Sequence, residues 1–155
     1  MQLIVLQSIA LIMTGLMVGN ELAVSAFVHP QLNQLEDKCH AASTKALARI
    51  YGSIMPFWYV TTLILTIGIA FILQHHRSAL FFTTIAAIIW SLLILFTIVK
   101  LVPINNKIGQ MSLEKLPDGW KDLRKRWDRL HAIRVGFLVI ALICLTVACQ
   151  ISTSC

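Results

Sequence analysis

Gly19-Asn20-Glu21-Leu22-Ala23-Val24-Ser25-Ala26-Phe27-Val28-His29-Pro30 closes an apolar run that begins at Leu3. The stretch decides the fold because it sets an amide, an acid and an imidazole on a helix otherwise fit only for lipid. A carboxylate costs about 2.5–3.5 kcal/mol at the centre of a bilayer-spanning helix and less toward its ends. Glu21 is therefore expected near the membrane interface, with its side chain turned away from lipid. Glu21, Ser25 and His29 are at i, i+4 and i+8, which places them on one helical face. Pro30 disfavours helical geometry at the residue before it, so the helix is expected to end or kink at His29.

Outward from this stretch the chain is uniformly greasy. Of its 155 residues 57% are hydrophobic, and the mean hydropathy is +0.78, values outside the soluble globular class. A span needs roughly 20 apolar residues as helix, and four stretches qualify: about 3–28, 50–73, 79–99 and 132–149. The expected fold is all-α, a polytopic membrane protein with four transmembrane helices in one antiparallel bundle, residues 1–155 forming a single domain. No basic residue precedes the first span and it is long for a signal peptide, so it is expected to stay. Gly15 and Gly19 make a small-xxx-small pair that permits a neighbouring helix to approach closely.

The net charge of +6 takes its meaning from where it lies. Twelve of the 13 Lys and Arg residues follow the first span or surround the link between the third and fourth, leaving only Arg77 in the other turn. Such asymmetry predicts that the basic links are cytoplasmic and both termini are outside. It reads as anchoring to anionic lipid, with the bilayer as partner and no nucleic acid. The four cysteines form no framework. Cys144 and Cys149 suit helix packing, a Cys149–Cys155 disulfide is conceivable on the outer side, and Cys39 beside His40 is too little for a metal site.

Other polar residues recur at the same depth as Glu21. Pro56 precedes Phe57-Trp58-Tyr59, an aromatic group typical of an interface anchor. The third span ends at Lys100, and Pro103, Asn105 and Asn106 predict an irregular polar turn, tolerated at this depth where it lines a cavity. Leu116, Trp120, Leu123, Trp127, Leu130 and Arg134 recur at 3–4 residue steps, with Lys121, Arg124, Lys125 and Asp128 opposite them. The pattern predicts an amphipathic cytoplasmic helix over about 113–131, and the lack of Pro or Gly after Trp120 favours its continuing into the fourth span. Trp127, His131 and Arg134 then share a face just inside the apolar run. Phosphate-binding glycine loops, nucleophile elbows and paired metal histidines are absent.

Asn20-Glu21 through Phe27-Val28-His29-Pro30, then Val102-Pro103-Ile104-Asn105-Asn106, then Trp127-Asp128-Arg129-Leu130-His131-Ala132-Ile133-Arg134 resemble, in order and spacing, the small four-helix membrane proteins grouped with fungal anthrone oxygenases. The resemblance covers nearly the whole chain. It implies oxidation of a lipophilic phenolic or polycyclic, anthrone-like substrate without a dedicated metal or flavin, and for a bacterial member it implies the inner membrane. The acidic Glu21 departs from the fungal pattern. Chemistry of this kind needs a base to make a carbanion or phenolate and donors to hold the developing charge. His131 or His29 is the expected base, Arg134 and Asn105 the oxyanion partners, and Glu21 the orienting acid. Trp127, with Ser25, Asn20 and Asn106, is expected to contact substrate. Two other readings stay open: a copper, iron, zinc or haem site using Glu21, His29 and His131, and a transport or structural bundle, possible as a homo-oligomer, built round a Glu21/Arg134 pair.

Overall fold

The computed structural model describes residues 2–153. Among them there is no strand. Four helices are each long and apolar enough to cross a membrane: α1 (Gln2–Leu32), α2 (Asp37–Ile72), α3 (Arg77–Gln110) and α4 (Trp120–Thr153). Short links at 33–36 and 73–76 force antiparallel neighbours. Each helix packs on the next and α4 closes on α1, giving a four-cornered bundle.

Lipid tails are as apolar as leucine, so close packing rather than hydrophobic burial holds such helices together. The contact surfaces are accordingly rich in small side chains: Ala10, Ala79, Ala86, Ala141 and Ala148 are all fully buried. One apolar layer at the far end joins Ala10, Ile69, Leu73, Ala86 and Leu145, and a central layer joins Met17, Tyr59, Trp90, Leu93 and Leu138. A third, of Ala41, Ile104, Ile108, Met111 and Trp120, closes the basic end. Polar ties add register: Gln7 Nε2 donates to Ser152 Oγ at 2.7 Å and Trp58 Nε1 to the Met13 carbonyl at 3.0 Å.

Both prolines expected to stop a helix are absorbed instead. Widened π turns occupy Val24–Val28 and Thr97–Leu101, in which His29 N–H reaches Val24 O and Val102 N–H reaches Thr97 O. Each lies directly before an X-Pro pair, His29-Pro30 or Val102-Pro103, so the wider turn accommodates the ring and the missing donor. The helix thus continues to Leu32, and 102–110 is helical rather than an irregular turn. Pro56 likewise leaves α2 unbroken.

Two further expectations change. Residues 111–119 are not helical, and α4 begins at Trp120 rather than near 113 and runs without interruption to Thr153; Gly119, at φ 76°, makes the turn into it. Gly15 and Gly19 meet no neighbouring helix, since a Cβ on either would have nothing within 4 Å. Cys149 is a buried free thiol, and the suggested partner Cys155 lies outside the described residues.

Candidate functional site

Between the central and basic-end apolar layers the four helices enclose a cavity of about 270 Å³, near the lower end of the ~300–1,000 Å³ typical of small-molecule sites. Each π turn aims one pair of polar side chains at it. At ~100° per residue, eight α-helical steps would leave His29 about 80° from Glu21; looping one residue into a π turn reduces this to about 20°. Thr97 and Asn105, also eight apart, straddle the second π turn in the same way. Glu21, His29, Thr97 and Asn105 all line the cavity.

Arg134 is the hub. Its Nη2 lies 2.7 Å from Glu21 Oε2 and 2.9 Å from His131 Nδ1, and its Nη1 donates to Thr97 Oγ1 at 3.2 Å. The Tyr59 hydroxyl donates to the other carboxylate oxygen, Glu21 Oε1, at 3.0 Å. Glu21, Tyr59, His131 and Arg134 are all buried, so the charge pair sits away from water with its hydrogen bonds shared among all four helices. A guanidinium can only donate. His131 Nδ1 lies 3.4 Å from Glu21 Oε2 as well; the nearer guanidinium favours Nδ1 as acceptor, with the ring's proton on Nε2, an atom with no partner of its own.

A second histidine faces the first with the opposite arrangement. The rings of His29 and His131 are 5.0 Å apart. His29 Nδ1 lies 3.3 Å from Asp128 Oδ1, and Arg124 Nη2 holds the same oxygen at 2.7 Å. The contact is an ion-pair distance and not an aligned hydrogen bond, since neither Asp128 oxygen has a hydrogen-bond partner; a carboxylate beside Nδ1 favours the tautomer with the proton there and a lone pair on Nε2. Trp127 fixes the imidazoles: His131 stacks on it at 4.8 Å and 12°, His29 meets it edge-on at 5.2 Å, and Arg124 lies over the indole at 4.7 Å. On the opposite wall Tyr51 donates to Asn20 Oδ1 at 3.2 Å, leaving Asn20 Nδ2 without a partner. Among the described residues no three His, Cys, Asp or Glu side chains are placed to hold a metal ion. Arg134 already takes the lone pairs that Glu21 Oε2 and His131 Nδ1 would offer one.

The family model for anthrone oxygenase matches residues 46–144, just under two thirds of the chain. The chain belongs to the anthrone oxygenase family. No curated protein and no solved structure matched it. The part of this anthrone oxygenase family member that matches carries Tyr59, Thr97, Asn105, Arg124, Asp128, His131 and Arg134. Glu21 and His29 lie before it, on α1.

Of the residues singled out from sequence, Asn20, Glu21, His29, Asn105, Trp127, His131 and Arg134 line the cavity. Ser25 and Asn106 are not among its lining residues: the π turn carries Ser25 off the Glu21–His29 line, and Asn106 is exposed. Four residues of the site are not singled out by the sequence. Tyr59 reads as an interface anchor, and Thr97 as part of an apolar span. Arg124 and Asp128 fell on the face assigned to water, yet Arg124 is 4% exposed. Counting back from His131 in steps of three and four, to Asp128 and Arg124, would have placed both on the inner stripe of α4.

Proposed function

We propose that this protein is a membrane-embedded oxidoreductase that converts a planar, lipophilic phenolic or anthrone-like substrate to the quinone at the cytoplasmic end of the bundle. The reading rests on one observation above all: two imidazoles 5.0 Å apart on one cavity wall, with a carboxylate 3.3 Å from Nδ1 of His29 and a guanidinium 2.9 Å from Nδ1 of His131. His29, with Nδ1 turned to Asp128, offers Nε2 as the base. His131, with Nδ1 engaged by Arg134, offers an Nε2–H donor. Of the two histidines expected as base, the geometry favours His29.

The reaction then divides as follows. The substrate's activated C–H gives its proton to His29 Nε2, and the electron pair delocalises onto the ring oxygen as an enolate. His131 Nε2–H and the Asn105 amide stabilise that oxyanion, with Arg134 as the nearby fixed positive charge. Dioxygen accepts electrons from the carbanion and forms a C–O bond, the proton returns to give a hydroperoxide, and loss of water leaves the new carbonyl. One dioxygen becomes one carbonyl oxygen and one water, so no further reductant is needed. Glu21 holds Arg134 and Tyr59 in register and takes no proton. Trp127, stacked already on His131, shapes the wall.

The test is quinone formation from 1,8-dihydroxyanthrone in proteoliposomes, corrected for protein-free vesicles. His29→Ala is expected to lower the protein-dependent rate by about 10²–10⁴-fold, the range of general base catalysis, with the bundle still folded. An unchanged rate in that variant removes His29 from the role.

A further inference from the structure

The cavity is covered at the basic end of the bundle and open at its side, between α2 and α3. At the basic end, Ile104, Ile108, Met111 and Trp120 pack with Ala41 across the mouth. The 111–119 link is held at its start by Lys45 Nζ, which donates to the Met111 carbonyl at 3.1 Å, and just beyond it Lys121 Nζ of α4 meets Asp37 Oδ1 of α2 at 2.6 Å. Between α2 and α3 the wall is different. Val60 and Ile98 line the cavity yet are 49% and 58% exposed on the outer surface of the bundle, so the same side chains face both the interior and the surroundings. Pro56, also lining and exposed, lies beside them, and its missing N–H leaves the Gly52 carbonyl without its helical donor.

The level of these two residues decides what lies outside. On α2 the exposed neighbours Phe57 and Ile64 are apolar, and the first charge toward the basic end is Arg49. On α3, Leu95 and Val99 are exposed and apolar, and the first charge is Lys100, whose long stem can reach the interface. Val60 and Ile98 thus stand on the hydrocarbon side of the basic residues. Apart from the Gly52 carbonyl, the helices satisfy their own backbone groups, so a gap between two of them presents apolar side chains to lipid with little penalty of unpaired amides.

We infer that the α2–α3 gap bounded by Val60 and Ile98 is a lateral portal through which the site takes an uncharged lipophilic ligand directly from the bilayer. The nature of that ligand rests on the function proposed above; the route rests on the wall alone. Entry from lipid lets a ligand reach the buried charges without opening the basic-end cover, which keeps water from the anion formed inside.

Route and ligand are tested separately. With Cys39, Cys144, Cys149 and Cys155 replaced by serine or alanine, a single thiol is placed in the cavity as Val24→Cys, or as Leu101→Cys should the first variant fold poorly. Proteoliposomes are treated with bilayer-soluble N-pyrenylmaleimide or with a sulfonated, membrane-impermeant maleimide. The pyrenyl reagent is expected to label, and Val60→Trp with Ile98→Trp is expected to slow it by about tenfold or more, an added barrier of about 1.4 kcal/mol. Lys45→Ala with Lys121→Ala is expected to leave that rate unchanged. Faster labelling by the sulfonated reagent, or a pyrenyl rate indifferent to the two tryptophans, overturns the portal. Binding of 1,8-dihydroxyanthraquinone, read by quenching of indole fluorescence, reports on the ligand: labelling through the gap without quinone binding keeps the route and removes the substrate reading.

Discussion

Replacing Arg134 by methionine strips the site of its hub. In the native protein the guanidinium stands 2.7 Å from Glu21, with side-chain exposures of 8% and 4%. At that distance the attraction is about 6 kcal/mol for an effective dielectric near 20, most of it offset by the cost of drawing both groups out of water. Removing one partner leaves the second group's burial cost without its compensation, so Arg134→Met is expected to destabilise the bundle by about 3–5 kcal/mol. Tyr59 still donates to Oε1 and keeps the loss toward the lower figure. Adding Glu21→Gln removes the stranded charge, and the double variant is expected to recover all but about 1–2 kcal/mol. Unfolding in mixed micelles of rising dodecyl sulfate content reads both differences. In parallel, nitrogen-15 shifts of His131 are expected to report an Nε2-protonated ring in the native protein and loss of that fixed tautomer in Arg134→Met. A single variant costing less than about 1 kcal/mol, or a double variant no more stable than Arg134→Met, refutes the coupled buried pair.

Asp128→Asn leaves His29 without its carboxylate, and turnover is expected to fall by about 10²-fold or more while the affinity for the quinone product changes little; equal losses in both would make Asp128 a packing residue. Tyr59→Phe removes one hydrogen bond to a buried carboxylate and is expected to cost about 1–3 kcal/mol in the same micelle titration, an effect that should vanish when Glu21→Gln is already present. Gly15→Ala and Gly19→Ala are each expected to change stability by no more than about 0.5 kcal/mol, since nothing stands within 4 Å of an added methyl; a large loss, or a change in oligomeric state, would show that a second chain covers this face.

The four helices were legible because the bilayer imposes a length and a composition that few soluble segments share. The costly polar residues in those runs were legible for the same reason: Glu21, His131 and Arg134 have no cheap place on a lipid-facing surface, and all three are buried. Tyr59 and Asp128 were not legible. An aromatic beside a proline and a carboxylate among lysines both have inexpensive exposed explanations, and only the meeting of Tyr59 with Glu21 and of Asp128 with His29 sets those aside. The π turns were hidden too, since a widened turn changes the periodicity by one residue and leaves composition untouched. That single residue aligns His29 with Glu21 and moves Ser25 away. The prolines carry the available signal: His29-Pro30 and Val102-Pro103 each follow a π turn, although sequence alone reads the first as a helix end or kink and the second as an irregular turn. The onset of α4 is hidden in the sequence because Leu113 and Leu116 fit the helical stripe, although they belong to a link whose half-buried leucines pack on the basic-end layer.

The measurement that tests the proposed chemistry most directly is oxygen-isotope incorporation. Proteoliposomes are given 1,8-dihydroxyanthrone under oxygen-18 dioxygen in ordinary water, and the quinone is weighed by mass spectrometry after brief turnover with protein-free vesicles as reference. The outcome expected is one oxygen-18 atom in each quinone formed above background, the label sitting in the new carbonyl and the protein-dependent yield lost in His29→Ala. Quinone formed no faster than in protein-free vesicles, or carrying its new oxygen from water, contradicts it.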